Sequence, residues 1–289
     1  MRIIIVSGLS GSGKSVALHM LEDLGFYCID NIPAALLKPF ISHTVRSAEA
    51  TYERTAIGLD ARNTAAEIAT VPKLIDELKR SGVQLEVLFL VTGDEELLRR
   101  FSETRRLHPM GRGHVDLREA IALERQLLEP IINAADLVLD TSGMGVHELR
   151  ETIHERIEQH KAGQLSLTFE SFGFKHGIPG DADFVFDARS LPNPYWEPTL
   201  RKLTGRDEDV MRFLEAQEDT GRLIGDIARF IEARIPEYER SNRGYLTVAI
   251  GCTGGQHRSV YIVERLAEHF AARFPAVNRR HSALPAQAA

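Results

Sequence analysis

The sequence predicts two α/β domains, the first built on a parallel sheet that opens into a phosphate-binding loop. Three observations carry this reading. Short apolar runs alternate with helical stretches through the first half, the pattern of a parallel sheet covered on both faces. The first run ends in Gly8-Leu9-Ser10-Gly11-Ser12-Gly13-Lys14-Ser15, which matches G-x-x-x-x-G-K-[ST]. The rhythm then breaks at Lys161-Ala162-Gly163-Gln164, giving one domain over 1–161 and a second over 165–289.

Each element has its own warrant. Arg2–Val6 reads as a buried strand because Ile3-Ile4-Ile5-Val6 is continuous and β-branched. Lys14–Leu24 follows as a helix and Phe26–Ile29 as a strand. Pro33–Val45 reads as a helix with proline near its first turn, where a missing N–H is harmless. Thr55–Leu59 is a strand, and Pro72–Arg80 a helix stopped by Ser81-Gly82. Leu85–Val91 is the clearest buried strand, a nearly unbroken apolar run. Asp94–Phe101 and Val115–Ile132 read as helices, Ala135–Leu139 as a strand, and Val146–His160 as a helix. In the second domain Leu165–Phe169 is a strand. Glu170–Pro198 reads as a long irregular stretch rich in Gly, Pro and aromatics, with the only tryptophan, Trp196. Such a loop in a compact domain points to function. Asp207–Ala216 and Gly221–Arg234 are helices, Tyr245–Ile250 a strand and Arg258–Phe274 a helix.

Composition narrows the class. Of 289 residues, 43% are hydrophobic and 26% charged, which excludes a predominantly disordered chain. No uncharged apolar run reaches the ~18 residues of a membrane span. Ile3–Val6 runs into a glycine loop rather than a cleavage site, so a cytoplasmic protein is expected. Cys28 and Cys252 lie far apart and have no zinc spacing, as expected of reduced thiols. A net charge of -6 excludes a wholesale cationic coat for nucleic acid but permits a local basic patch.

The Gly8–Ser15 motif makes a strict physical demand. A strand must end, amides must wrap an anion, and a helix must start with its positive end toward that anion. Gly8, Leu9, Ser10, Gly11, Ser12 and Gly13 form the wrap, Lys14 reaches the β and γ phosphates, and Ser15 ligates Mg²⁺. A second acidic residue is expected on the metal. Asp30, Asp60 and Asp94 each follow a strand. Asp60 and Asp30 are preferred because they end early strands, where open α/β sheets bind ligands. Thr104-Arg105-Arg106-Leu107-His108-Pro109, with Arg112 beyond it, is read two ways: as a basic closing segment over phosphates, or as a solvated turn.

A second strand–loop–helix junction runs from Ile250 to Ser259 and contains C-x₅-R-[ST] in Cys252-Thr253-Gly254-Gly255-Gln256-His257-Arg258-Ser259. Three readings stand open: a non-catalytic phosphate clamp, a tight turn around a buried cysteine, and a phosphatase with Cys252 as nucleophile. Lys175, His176, Arg189 and Asn193 are residue types that recognise a phosphorylated, hydroxylated ligand. Phe172, Phe174 and Trp196 are read as local packing.

With both loops in view, the chain resembles the RapZ family of bacterial P-loop proteins over its full length. The resemblance rests on GLSGSGKSVAL, LEDLGFYCIDNIP, DARN, TRRLHP, LDTS, ESFGFKHGIP, FDARSLPNP and YLTVAIGCTGGQHRSVYI. It implies an N-terminal domain like a small P-loop kinase, with ATP and GTP hydrolysis. Gly8–Ser15 would be its ATP loop, and Asp60, Ala61, Arg62 and Asn63 its GTP-contacting segment. It also implies a C-terminal domain similar to a phosphofructokinase subdomain. In some bacteria that domain binds glucosamine-6-phosphate and small regulatory RNAs, and the homo-oligomer delivers an RNA to an endoribonuclease. Cys252, Thr253, Gly254, His257 and Arg258 match the motif implicated in that binding. Tyr195 stands where well-studied adaptors carry histidine, and the tail has only Arg279 and Arg280 as fixed positive charges where theirs is strongly basic. The expectation is a nucleotide-binding regulator with weak ATPase and GTPase activity. The alternative is a P-loop kinase of small molecules.

Overall fold

A computed structural model describes residues 1–47, 49–104, 107–111, 115–158, 165–240 and 244–284. The chain divides into two compact units, Met1–Gln159 and His160–Ala289.

In the first unit the strands are β1 (Arg2–Gly8), β2 (Tyr27–Ile29), β3 (Arg54–Gly58), β4 (Gln84–Val91) and β5 (Leu137–Asp140). The helices are α1 (Lys14–Asp23), α2 (Ala34–Ser47), α3 (Ala65–Ile68), α4 (Val71–Arg80), α5 (Asp94–Thr104), α6 (Leu117–Asn133) and α7 (Val146–Ile153), the last running into a π-helical turn at His154–Glu158. The sheet order is β2-β3-β1-β4-β5, with every pairing parallel. The apolar run Ile3–Val6 is fully buried because β1 is the central strand. After β3 the chain crosses β1 to add β4 and β5 on its other side. That crossing puts a topological switch beside the carboxyl end of β1, where ligands of open sheets bind.

The second unit has strands β6 (Ser166–Gly173), β7 (Phe184–Asp187), β8 (Tyr245–Cys252) and β9 (Val277–His281), ordered β7-β8-β6-β9 and again all parallel. Helices α8 (Glu208–Glu215), α9 (Glu218–Arg240) and α10 (Arg258–Ala271) complete it. Phe169, Ile250 and Phe270 lie in its core.

Two expectations are corrected here. Glu170–Pro198 is not irregular throughout. β6 continues to Gly173, β7 lies inside the stretch, and short 3-10 turns occupy Phe174–His176 and Pro194–Trp196. The run Phe184–Asp187 is hidden in the sequence by the Gly, Pro and aromatic residues on both sides of it. The second correction is β9, which the sequence reading passed over because Val277-Asn-Arg-Arg-His281 lacks an apolar face. Its Arg280 stands opposite Glu170 in the ladder and pairs with that carboxylate and with Asp181 at 2.8 Å. Val277 packs on the apolar core, and charge pairing holds the rest of the strand.

β9 is also held through α10. The Glu264 carboxylate accepts hydrogen bonds from His281 Nε2 at 3.1 Å, Arg206 Nε at 2.7 Å and Arg279 Nη1 at 2.8 Å. These bonds, His281's foremost, outweigh burial and hold the Glu264 carboxyl down at about 2. Arg280→Met would remove the guanidinium that pairs with the buried Glu170 and Asp181 carboxylates. Breaking such a pair costs about 3–5 kcal/mol, so the urea midpoint of the second unit should fall accordingly. A depressed Glu264 contributes stability that is fully present above the ordinary carboxylate value and is lost as pH falls toward about 2. Unfolding midpoints measured between pH 6 and pH ~2.5 should therefore drop more steeply for the wild type than for Glu264→Gln.

Candidate functional site

The first site grows from the end of β1. Gly8 leaves the strand at φ 143°, and a Cβ there would lie 2.3 Å from the Leu90 carbonyl oxygen of β4. Only glycine lets the chain turn this close to its neighbour strand. Gly13 sits at φ 101°, and a Cβ on it would strike Leu149 at 2.7 Å. The Ala17 amide donates to the Gly13 carbonyl and starts α1. The amides of Gly13, Lys14 and Ser15 therefore have no partner within the helix and form its positive end. Lys14 Nζ donates to the carbonyls of Gly8 at 2.7 Å and Leu9 at 3.0 Å. Burial pushes the Lys14 ammonium below its ordinary value, while Glu124, Asp60 and Asp30 pull it back up.

These groups border a cleft of about 630 Å³. Ser10, Gly11, Gly13, Lys14 and Ser15 line one end with Asp60 and Arg62, and Met144, Val146, Leu149, Phe101 and Leu107 give it apolar walls. Asp60 follows β3, and its carboxylate takes the Arg62 amide at 2.9 Å and the Arg62 guanidinium at 2.6 Å. Asp30 follows β2 and reaches within 2.9 Å of where a Cβ on Gly58 would sit. Of the expected Asp60–Asn63 segment, the structure brings only Asp60 and Arg62 to the cleft. Ala61 joins the core. The Asn63 side chain accepts from the Ala34 amide at 2.7 Å and donates to the Asp60 carbonyl, so it ties the turn to the head of α2. Gly8, Leu9 and Ser12 are likewise behind the lining, with Leu9 packed on Leu97 and Ile121. Asp94 pairs with Arg125 at 2.6 Å. Arg105, Arg106 and Arg112 lie outside the described residues.

Three groups that the sequence reading missed fix this loop. Arg100 of α5 donates to the carbonyls of Gly11 at 3.0 Å and Thr141 at 2.7 Å. Thr141, after β5, donates to the Ser12 carbonyl at 2.9 Å. Glu124 of α6 accepts from the Ser10 amide at 2.9 Å and the Ser10 hydroxyl at 2.7 Å. A signal for Glu124 exists in the sequence: it interrupts the apolar stripe Ile121, Leu128, Ile131 on α6. Burial raises the Glu124 carboxyl, but the bonds from His108 and Ser10 outweigh it and the net shift is downward.

The second loop joins β8 to α10. Gly173 at the end of β6 and the Gly254-Gly255 turn touch backbone to backbone, and a Cβ on Gly255 would lie 2.7 Å from the Gly173 nitrogen. Cys252 is buried. Its Sγ accepts from the Gly255 amide at 3.3 Å and shares a hydrogen bond with Ser259 Oγ at 3.2 Å. Burial raises the thiol, while Ser259, Gly255 and the nearby Arg258 lower it further, so its net shift is downward. Arg258 is also buried. It donates to the carbonyls of Arg189 and Leu191, both at 2.9 Å, and to Thr253 Oγ1 at 3.3 Å. It thus braces the segment after β7.

The other expected residues divide by exposure. His257 is buried with Nε2 3.3 Å from the Leu200 carbonyl, and burial lowers its imidazole. Lys175, His176, Thr253 and Arg189 are exposed. Arg189 pairs with Asp187 at 2.7 Å and lies 4.0 Å over the Phe174 ring. Asn193 Oδ1 accepts from the Tyr195 amide at 3.3 Å. Phe172 and Phe174 pack edge to face. Trp196, read as packing, is 71% exposed and meets the neighbouring Tyr195 ring edge to face. No helix among the described residues is long and apolar enough to cross a membrane. Among the same residues, no group of three or more His, Cys, Asp or Glu is placed to hold a metal.

Comparison with known proteins agrees with the two-unit division. A family model for the RapZ-like N-terminal domain matches residues 1–161, and one for the RapZ C-terminal domain matches 165–285. A nucleotide-binding protein of Alkalilimnicola ehrlichii is 54% identical over 283 residues, covering 98% of each chain. One of Marinobacter nauticus is 49% identical over 286 residues, covering 99% of this chain and 97% of its own. Among solved structures, shikimate kinase from Bacteroides thetaiotaomicron overlaps 54% of this chain and 98% of its own, at 16% identity and a TM-score of 0.36. Matched in both units and by full-length relatives, the chain belongs to the RapZ family.

Proposed function

We propose that the protein is a nucleotide-dependent regulator. Its first unit binds ATP or GTP with Mg²⁺ and hydrolyses it slowly, and its second unit binds a phosphorylated amino sugar, glucosamine-6-phosphate. One observation carries the first half. The head of α1, the Lys14 ammonium and the Asp60 carboxylate converge on a single cleft of about 630 Å³. That volume suits a ligand of nucleotide size. Phosphates belong at the amide-lined end, and a flat base at the apolar walls formed by Met144, Val146 and Leu149. The relatives named above, both called nucleotide-binding proteins, support this reading.

Ser15 and Asp60 offer hard oxygen donors to the same cleft, a set that suits Mg²⁺. This ion usually takes one or two carboxylates and substrate phosphates and keeps several waters. The Arg62 guanidinium takes both lone pairs of Asp60 Oδ2 and its amide one of Oδ1, which leaves one lone pair on Oδ1 for the metal. Bound there, the metal would offset charge that develops in phosphoryl transfer. In the second unit the exposed Lys175, His176, Thr253 and Arg189 around the Cys252–Ser259 turn support a phosphorylated, hydroxylated ligand. The burial of Cys252 favours a clamp over a phosphatase. The resemblance extends the reading to a cytoplasmic homo-oligomer that hands a small regulatory RNA to an endoribonuclease. Arg279 is paired with Glu264 and Arg280 with Glu170 and Asp181, which leaves the tail little free positive charge for a phosphate backbone.

Lys14→Ala should weaken binding of fluorescent ATP or GTP at least about tenfold, as expected from loss of a charge-assisted hydrogen bond. Unchanged affinity would remove the first half of the proposal. Mass spectrometry after incubation with ATP and a metabolite extract should show free phosphate. A stoichiometric phosphorylated metabolite would instead make the protein a kinase. Calorimetry should detect glucosamine-6-phosphate binding to the wild type and its loss in Lys175→Ala. Any RNA that co-purifies should be released with a shallow salt dependence, reflecting few phosphate contacts.

A further inference from the structure

We propose that Glu124 is a positioning residue of the phosphate loop, with His108 as the fixed donor that orients its carboxylate. This rests on the reading that the loop binds a nucleotide. Glu124 lies on α6, 114 positions from Ser10, yet both its oxygens are directed at that residue. The Glu124 and His108 side chains are 0% and 1% exposed, so neither can touch a ligand. Whatever Glu124 does for the site it does through Ser10.

The geometry settles the proton on His108. The Met110 amide donates to Nδ1 at 3.2 Å, which makes Nδ1 an acceptor. The ring proton is therefore on Nε2, which donates to Glu124 Oε2 at 3.0 Å. The carboxylate thus receives three hydrogen bonds, two from Ser10 and one from His108. Phe101 packs against the imidazole with ring centroids 5.2 Å apart, and it also lies beneath Gly11.

An ionised carboxylate beneath an anion cup repels phosphate, so its presence there needs a compensating role. The Ser10 bonds supply one. They occupy the Ser10 amide and hydroxyl and fix the first arm of the loop, while the Arg100 bond to the Gly11 carbonyl fixes the next residue. With that arm held, the amides of Gly13, Lys14 and Ser15 keep one direction. Pre-set donors bind an anion without first having to be ordered.

Calorimetric titration of the full chain with a non-hydrolysable ATP analogue and Mg²⁺ separates affinity from stoichiometry. Glu124→Gln should weaken affinity about tenfold at unchanged stoichiometry, on the scale of a charge-assisted contact. A purely structural loss would lower the stoichiometry and leave the remaining sites at wild-type affinity. His108→Gln keeps an N–H for Glu124 and should bind within about threefold of the wild type, whereas His108→Leu should match Glu124→Gln. The two His108 variants decide the matter should Glu124→Gln not fold. Wild-type or tighter affinity in Glu124→Gln, lost stoichiometry at wild-type affinity, or equal loss in both His108 variants, overturns the proposal. When Lys14→Ala weakens binding and the Glu124 and His108 variants do not, only this proposal fails. Absence of binding by the wild type overturns the nucleotide reading as well.

Discussion

A helix begins with amides that it cannot pair internally, and this protein twice sets such amides at the carboxyl end of an inner parallel strand. β1 leads into α1, and β8 into α10. A parallel sheet brings all its carboxyl ends to one edge, so whatever follows each strand gathers around the same amides. In the first unit this gathers Asp30 after β2, Asp60 after β3 and Thr141 after β5. In the second it sets Gly173, after β6, directly against Gly254 and Gly255. The close approaches come from that geometry, and glycine at Gly8 and Gly255 is the steric consequence.

The two loops differ in how they are held. In the first, the braces come from elsewhere: Glu124, Arg100 and Thr141 grip the main chain of Ser10, Gly11 and Ser12 from three separate elements. Lys14, the loop's own cation, remains at the cleft. In the second, Arg258 supports the carbonyls of Arg189 and Leu191 and also donates to Thr253 within the loop. The positive charge there serves the frame, beside exposed groups from neighbouring turns.

How much of this the sequence discloses depends on the range of each contact. Strands with unbroken apolar runs, such as Ile3–Val6 and Leu85–Val91, are legible because burial on both faces writes itself locally. The phosphate loop is legible because glycine spacing and a lysine must fall in one short window. β7 and β9 are not, since one is set among Gly, Pro and aromatic residues and the other carries Asn278, Arg279, Arg280 and His281 in place of an apolar run. Asn63 enters the expected GTP-contacting segment through the resemblance, yet its partner is the Ala34 amide, 29 positions away. Arg100 and Thr141 reach their loop partners from 89 and 129 positions off, a separation that leaves no periodic trace. Glu124 alone among these leaves a mark, as a carboxylate in an apolar stripe.

Charge around the loop bears on the form in which a polyphosphate can arrive. Lys14 is surrounded by the carboxylates of Glu124, Asp60 and Asp30 and by the Arg62 guanidinium. The cleft as a whole is lined by Lys14, Arg62, Arg99 and Arg100 and by Asp60, Glu96 and Glu103, and the arginines are paired: Arg62 with Asp60, Arg99 with Glu96 and Glu103, and Arg100 with Glu96. Lys14 is held instead by main-chain carbonyls. A polyphosphate would therefore draw on directed amides and on Lys14 exchanging two neutral carbonyl acceptors for an anionic one. A divalent cation carried with the phosphates would reverse the sign of their encounter with Asp60, one of the carboxylates that line the cleft. The proposed metal-bound nucleotide would thus meet Asp60 through its cation and Lys14 through its phosphates.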